Sequence, residues 1–170
     1  MLTLIIGGAG SGKSAFAETH VCRLNGRKIY FATMLPRDGE SRARVEKHRA
    51  QRRGLGFETL ERGLDLAGAE ISGDANVLLE DLPNLLANEM YEPQCGGMDA
   101  ARRGLAQLIS ACENLTVVTG EVFSGGAEYD EESLQYMQAL ADLNRELAAS
   151  ADLAVEVVCG LPNVLKGELS

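Results

Sequence analysis

Apolar and polar positions alternate along the chain in two rhythms. Short runs dense in Leu, Ile and Val recur at 2–6 (LTLII), 28–33 (KIYFAT), 76–81 (NVLLED), 115–122 (LTVVTGEV) and 153–160 (LAVEVVCG). Such runs, bounded by glycine or polar residues, predict buried strands. Between them lie longer stretches with apolar residues three and four apart, which predict helices over 13–24, 83–91, 99–113 and 131–150, and a helix-like but very polar stretch over 40–53. Pro83 suits a first helical turn. The glycine-bearing stretches at 92–98 and 124–126 read as loops within one domain.

Strands that alternate with helices of this length predict βαβ units. The fold class is therefore α/β, with a mainly parallel sheet between two helical layers, as one domain over residues 1–170. A chain of 170 residues can bury a full core. No internal repeat or low-complexity tract interrupts it.

Charge narrows the partners. Twenty-five acidic against sixteen basic residues give a net charge of −9, which argues against duplex nucleic acid, since a phosphate backbone is bound through a basic surface. Single nucleotides need only a few local cations and stay open. The four cysteines, Cys22, Cys95, Cys112 and Cys159, form no CxxC pair; reduced thiols and a cytoplasmic location are expected. No stretch has the length and apolar character of a membrane span.

Candidate chemistry begins at the first strand. Gly7, Gly12, Lys13 and Ser14 fit G-x-x-x-x-G-K-[ST], with a strand before and a helix after. Gly7, Gly8, Ala9, Gly10, Ser11 and Gly12 supply a backbone free to curl around an anion at a helix N-terminus. Lys13 is expected at the β- and γ-phosphates, and the Ser14 hydroxyl on Mg²⁺. The fold expected is thus a three-layer, P-loop NTPase-like one. A carboxylate usually completes such a metal site from a neighbouring strand, and Glu80 and Asp81 are both available. Side chains alternate along a strand, so one of the two faces the loop; the other reading is that both cap the next helix.

Only two histidines occur. His20, amid apolar neighbours on the first helix, reads as structural. His48 sits in a basic segment with Arg42, Arg44, Lys47, Arg49, Arg52 and Arg53. Arg44, His48 and Arg52 are spaced i, i+4, i+8 and share a helical face. A neighbouring guanidinium disfavours the charged imidazole and leaves it nucleophilic, and could neutralise an attacked phosphate. A solvated, salt-bridged helix is the alternative on spacing alone.

Taken in order, GGAGSGKS, FAT closing the second strand, RVEKHRAQRR, FETLE, LLED followed by Asn84, VVTGEV and the final LADLNRELAASADLAVEVVCGLPNVLKG resemble the adenosylcobinamide kinase / adenosylcobinamide-phosphate guanylyltransferase family. The resemblance covers most of the chain, and the R-[IV]-x-x-H spacing is its most specific part. It implies two reactions. A nucleoside triphosphate (ATP or GTP) first phosphorylates the corrinoid adenosylcobinamide; GMP then passes from GTP through an enzyme histidine to give adenosylcobinamide-GDP. His48 matches that histidine. Ala32, Thr33 and Met34, the stretch Arg49, Ala50, Gln51, Arg52, and Glu61 and Glu80 match positions associated with the guanine nucleotide. Glu80 also matches the acidic position at the third predicted strand, which favours it over Asp81 as the Mg²⁺ ligand with Ser14. A homo-oligomer, a trimer in particular, is implied too.

The chain departs from the family in places. Phe57 stands where tryptophan is frequent, and Asp81 where cysteine is. The family's E-V-G-x-G-x-x-P loop reads here EVFSGGAEYD, keeping Glu121 and Val122. Two other readings fit the glycine loop: a different small P-loop kinase of a hydroxylated metabolite, and a nucleotide-dependent regulatory module. The latter would be expected to carry a guanine-reading N-K-x-D-type stretch, and none is present.

Overall fold

The computed structural model describes residues 1–36, 38–71, 73–122 and 128–169, and within them leaves the side chains of Glu40, Ser41, Arg44, Lys47 and Gln51 undescribed. The elements run β1 (Leu2–Gly7), α1 (Lys13–Cys22), β2 (Lys28–Ala32), α2 (Gly39–Arg52), β3 (Phe57–Glu61), a 3₁₀ turn (Leu66–Gly68), β4 (Asn76–Glu80), α3 (Leu82–Tyr91), α4 (Gly97–Ala111), β5 (Asn114–Gly120), α5 (Glu131–Ser150), β6 (Leu153–Val158) and β7 (Leu161–Lys166). Among the described residues the sheet has seven strands in the order β3-β2-β4-β5-β1-β6-β7. All neighbours pair parallel except β6 and β7. The expectation of an α/β fold with a mainly parallel sheet holds.

Strand alternation builds two cores from one sheet. Leu2 and Leu4 of β1, Ile29 and Phe31 of β2, Val77 and Leu79 of β4, and Leu115 and Val117 of β5 pack against α3, α4 and α5. The residues between them, Ile5, Tyr30, Leu78 and Val118, face the other way, onto Ala17 and Val21 of α1. This parity decides where the carboxylates go. Leu78 looks toward α1 and Leu79 away, so Glu80 returns to the α1 face.

Two strands escaped the sequence pattern. Phe57–Glu61 is a strand, half-buried at Phe57 and Leu60 and exposed at Glu58, Thr59 and Glu61, because it forms the sheet's outer edge beside β2. The stretch expected as a last strand over 153–160 ends at Val158. Cys159 and Gly160 take left-handed backbone angles (φ 51° and 79°) and turn the chain into β7, antiparallel to β6. Two central residues with positive φ make the turn that matches strand twist in a tight hairpin. Every residue of β7 is exposed, so it lacks the buried-face signal that marks the other strands. Helix ends moved by up to two residues, α1 stopping at Cys22 and α4 starting at Gly97.

Candidate active site

In a parallel sheet, ligands are met outside the carboxyl ends of the strands. There β1 ends at Gly7, β2 at Ala32 and β4 at Glu80. The glycine loop follows β1. Gly10 and Gly12 adopt φ 71° and 90°, left-handed angles that any side chain would strain. Gly12 precedes α1, whose first two residues are Lys13 and Ser14. The loop closes on itself through Ser11 N–H donating to Gly8 O (3.2 Å), and Lys13 Nζ donates back to Gly8 O at 3.2 Å. The lysine ammonium thus lies along the inside of the loop.

Across from it, Ser14 Oγ donates to Glu80 Oε1 at 2.6 Å. Glu80 Oε2 is buried and bonded to no protein group. Burial pushes the Glu80 carboxyl up to about 7; the Ser14 hydrogen bond opposes that, the neighbouring Asp81 charge adds to it, and Lys13 again opposes it. Asp81, one residue on, has a different task. Its Oδ1 accepts from Asn84 N–H (2.9 Å) and Asn84 Nδ2 (2.7 Å), capping α3 at its N-terminus. Burial raises this carboxyl too, against the Asn84 bonds, Lys13 and His48. Of the two readings, one carboxylate facing the loop and one capping the helix is what the fold contains.

The segment carrying His48 is helical, and it closes the site from above. Val45, His48 and Arg52, spaced i, i+3 and i+7, line a cavity of about 340 Å³ together with Gly10, Lys13, Ser14, Glu80 and others. His48 is half-buried; Arg52 is 6% exposed, with its guanidinium carbon 3.5 Å from the centroid of the Tyr30 ring. Arg44, expected on this face, has its side chain outside the described residues. The outer face of the helix is polar: Arg49 is paired with Glu46 on α2 and with Glu61 at the end of β3.

The nucleotide-associated positions therefore separate. Ala32 and Met34 reach the cavity wall. Thr33 is buried and engaged internally: its hydroxyl donates to Asp81 O and accepts from Asp81 N–H, both at 2.8 Å, locking the end of β2 to that of β4. Arg49 and Glu61 meet on the outside, Ala50 is exposed, and the Gln51 side chain lies outside the described residues. Gly7, Gly8 and Ala9 form a groove with Glu121, so the altered loop starts beside the glycine loop; its residues 123–127 lie outside the described ones. His20 is buried, and its imidazole is held below the usual range by burial and by Arg23.

Tyr30, Val45 and Asn84 also line the cavity. Tyr30 looks in the sequence like an ordinary core residue, and only the parity of β2 could have pointed to it; Val45 and Asn84 stand inside stretches that carry the resemblance, but neither is among the site positions expected from it.

A magnesium ion fits this donor set. Among the described residues no three His, Cys, Asp or Glu side chains gather as a metal cluster. Magnesium does not ask for one, since it binds through one or two protein oxygens and completes its shell with water and phosphate. The Ser14 hydroxyl and the half-satisfied Glu80 carboxylate are such oxygens. No helix among the described residues is long and apolar enough to cross a membrane.

A glycine loop leading into a helix, a lysine and serine at its start, and a carboxylate on a neighbouring parallel strand define a P-loop NTPase-like protein. The description "Cobinamide kinase / cobinamide phosphate guanyltransferase" matches residues 3–165; the chain belongs to that family. The bifunctional adenosylcobalamin biosynthesis protein CobP of Pseudomonas aeruginosa is 31% identical over 172 residues, covering 99% of each chain. The CobU proteins of the same description from Escherichia coli and Salmonella typhimurium are each 30% identical, over 95% of this chain and 97% of theirs. Among solved structures, the P4 protein from bacteriophage phi6 in complex with ADP covers 96% of this chain and 52% of its own, with 16% identity and a TM-score of 0.44.

Proposed function

We propose that this chain carries out both reactions its family is named for: phosphorylation of adenosylcobinamide by ATP or GTP, then transfer of GMP from GTP to the phosphorylated corrinoid through His48. One observation carries the reading. His48 and the phosphate-loop residues Lys13 and Ser14 line a single cavity, so a triphosphate seated in the loop lies within the helix's reach.

In the first reaction the hydroxyl oxygen of the corrinoid attacks the γ-phosphorus, and the nucleoside diphosphate leaves. The chain supplies position and charge: Lys13 offsets the β- and γ-oxygens, and backbone N–H groups of Gly8 to Ser14 hold the rest. Ser14 and Glu80 would hold Mg²⁺, which when bound neutralises phosphate charge. In the second reaction a neutral His48 nitrogen attacks the α-phosphorus of GTP. A P–N bond forms, the bond to pyrophosphate breaks, and the corrinoid phosphate then displaces His48 to give adenosylcobinamide-GDP. Splitting one transfer into two is the use of such a nucleophile. Ala32, Met34 and Arg52 would contact the nucleotide inside the cavity, with Thr33 fixing the wall, while Arg49, Ala50, Gln51 and Glu61 would act from the rim.

We read residues 1–170 as one catalytic domain of a cytoplasmic homo-oligomer, a trimer by the resemblance. The exposed β7 edge, with Leu161 and Leu165 at 72% and 59% exposure, supports self-association, since an unpaired apolar edge strand invites pairing.

The test is incubation with GTP labelled at the α-phosphate. A covalent adduct that survives base and is released by mild acid is expected. No adduct, alongside intact phosphorylation of adenosylcobinamide, would leave a small P-loop kinase and remove the transferase.

A further inference from the structure

The described side chains of the helix that carries His48 are mostly exposed, and Arg49 ties it to Glu61 at the end of β3. Of its described side chains Arg42, Ala43, Glu46, Arg49 and Ala50 are exposed, Val45 and His48 are half-buried, and only Arg52 is buried. Arg52 is its last residue, followed by Gly54 and Gly56 with φ 89° and 78°. What fixes this end of α2 therefore fixes the angle at which His48 meets the loop.

We propose that Tyr30 is a positioning residue for His48: its ring holds the Arg52 guanidinium and thereby sets which face of α2 looks into the cavity. The proposal rests on His48 being the guanylylated group. Three observations carry it.

First, the Arg52 guanidinium lies 3.5 Å from the centroid of the Tyr30 ring, and a cation over an aromatic face gains most where water is excluded. Arg52 Nε is buried and bonded to no protein group, so the face of the ring, not a hydrogen bond from Nε, holds it.

Second, the ring itself cannot give way. Tyr30 is 2% exposed, lies on β2 between β3 and β4, and meets Phe57 edge-on at 5.9 Å and 81°. It is a rigid floor under a mobile class of side chain.

Third, His48 stands four residues before Arg52, about one helical turn, and shares the cavity with it. A rotation of α2 about its axis moves both together. Reacting groups must be placed to within about 1 Å, and such an error costs on the order of a hundredfold. Glu80, Lys13 and Asp81 also face this space, and Glu18 lines an adjoining groove with His48; Glu18 and Arg52 attract one another, but Glu18 offers a flexible contact where Tyr30 offers a fixed plane.

The experiment compares Tyr30→Phe, Tyr30→Leu, Arg52→Met and the Tyr30→Leu/Arg52→Met double variant in the full chain. Initial rates of adduct formation are read at saturating and limiting α-labelled GTP, with backbone hydrogen exchange of residues 45–52. Tyr30→Phe keeps the ring and should stay within about twofold of wild type. Tyr30→Leu should slow adduct formation at saturating GTP by about ten- to a hundredfold, shift KM for GTP less than threefold, and speed exchange in α2. The double variant should be no slower than the slower single one, because both remove one contact.

Additive losses, or unchanged exchange in α2 with Tyr30→Leu, would overturn the proposal. If Tyr30→Leu fails to fold, Arg52→Met must by itself speed exchange in α2, and its failure to do so is equally fatal. Absence of the adduct in wild type is a separate outcome: it defeats the guanylylation reading, while the exchange data still decide whether Tyr30 holds α2.

Discussion

The hydroxyl of Ser14, on the first turn of α1, and the carboxylate of Glu80, at the end of β4, are 66 residues apart in sequence and 2.6 Å apart in space. The hydrogen bond ties the first turn of α1 to the end of β4 and leaves Glu80 Oε2 buried without a protein partner. Glu80→Gln should slow both reactions tenfold or more, with part of the loss recovered at high Mg²⁺ in a steady-state assay. Asp81→Asn, which keeps the helix cap, should show no such metal rescue; if it does, the metal carboxylate is Asp81.

The raised Glu80 carboxyl, about 7, makes binding pH-dependent. A metal needs the ionised form, so taking up Mg²⁺·GTP displaces a proton, and affinity should rise with pH up to about 7 and level off above it. For the ligand-free protein the sign is opposite. A carboxyl whose folded value is raised contributes stability that is fully present below its unfolded value and lost as pH rises through the folded one. Calorimetric titrations at pH 5.5, 6.5 and 7.5 check the first statement, and both trends should flatten in Glu80→Gln.

Lys13→Ala removes the cation proposed to span the β- and γ-phosphates. GTP affinity should fall at least tenfold with the fold intact, since the hydrogen bond Lys13 gives among the described residues goes to Gly8 O within its own loop. Calorimetry giving the wild-type affinity in a folded variant would contradict the assignment.

His48→Asn separates the two chemistries. The adduct and GMP transfer should disappear. Phosphorylation of adenosylcobinamide should persist at a substantial fraction of the wild-type rate, because that step needs no enzyme nucleophile. An adduct that survives the substitution would move the chemistry to another residue, with His20 or a lysine to be located by peptide mapping.

Much of this was legible in the chain. Runs such as LTLII and NVLLE mark buried parallel strands because both their faces are covered, and the glycine loop reads directly from its spacing. Legibility failed where burial is one-sided or missing. Phe57–Glu61 buries little at the sheet's edge, and Leu161–Lys166 buries nothing, so neither shows a strand rhythm. At the site, parity alone says that one of Glu80 and Asp81 faces the loop, but which one depends on the face α1 covers, a fact of packing. The clustering of His48 and Arg52 follows from helical pitch. Tyr30 beneath them does not, because a buried tyrosine on a central strand looks like core until the helix is laid over it.

The tight turn between β6 and β7 has a further significance. Gly160 N–H donates to Ser11 O at 2.8 Å, and a methyl group on Gly12 would come within 3.2 Å of Gly160 Cα. The outermost hairpin of the sheet is thus buttressed directly against the glycine loop. A neighbour that gripped the hairpin edge would bear on the glycine loop through the Gly160–Ser11 hydrogen bond.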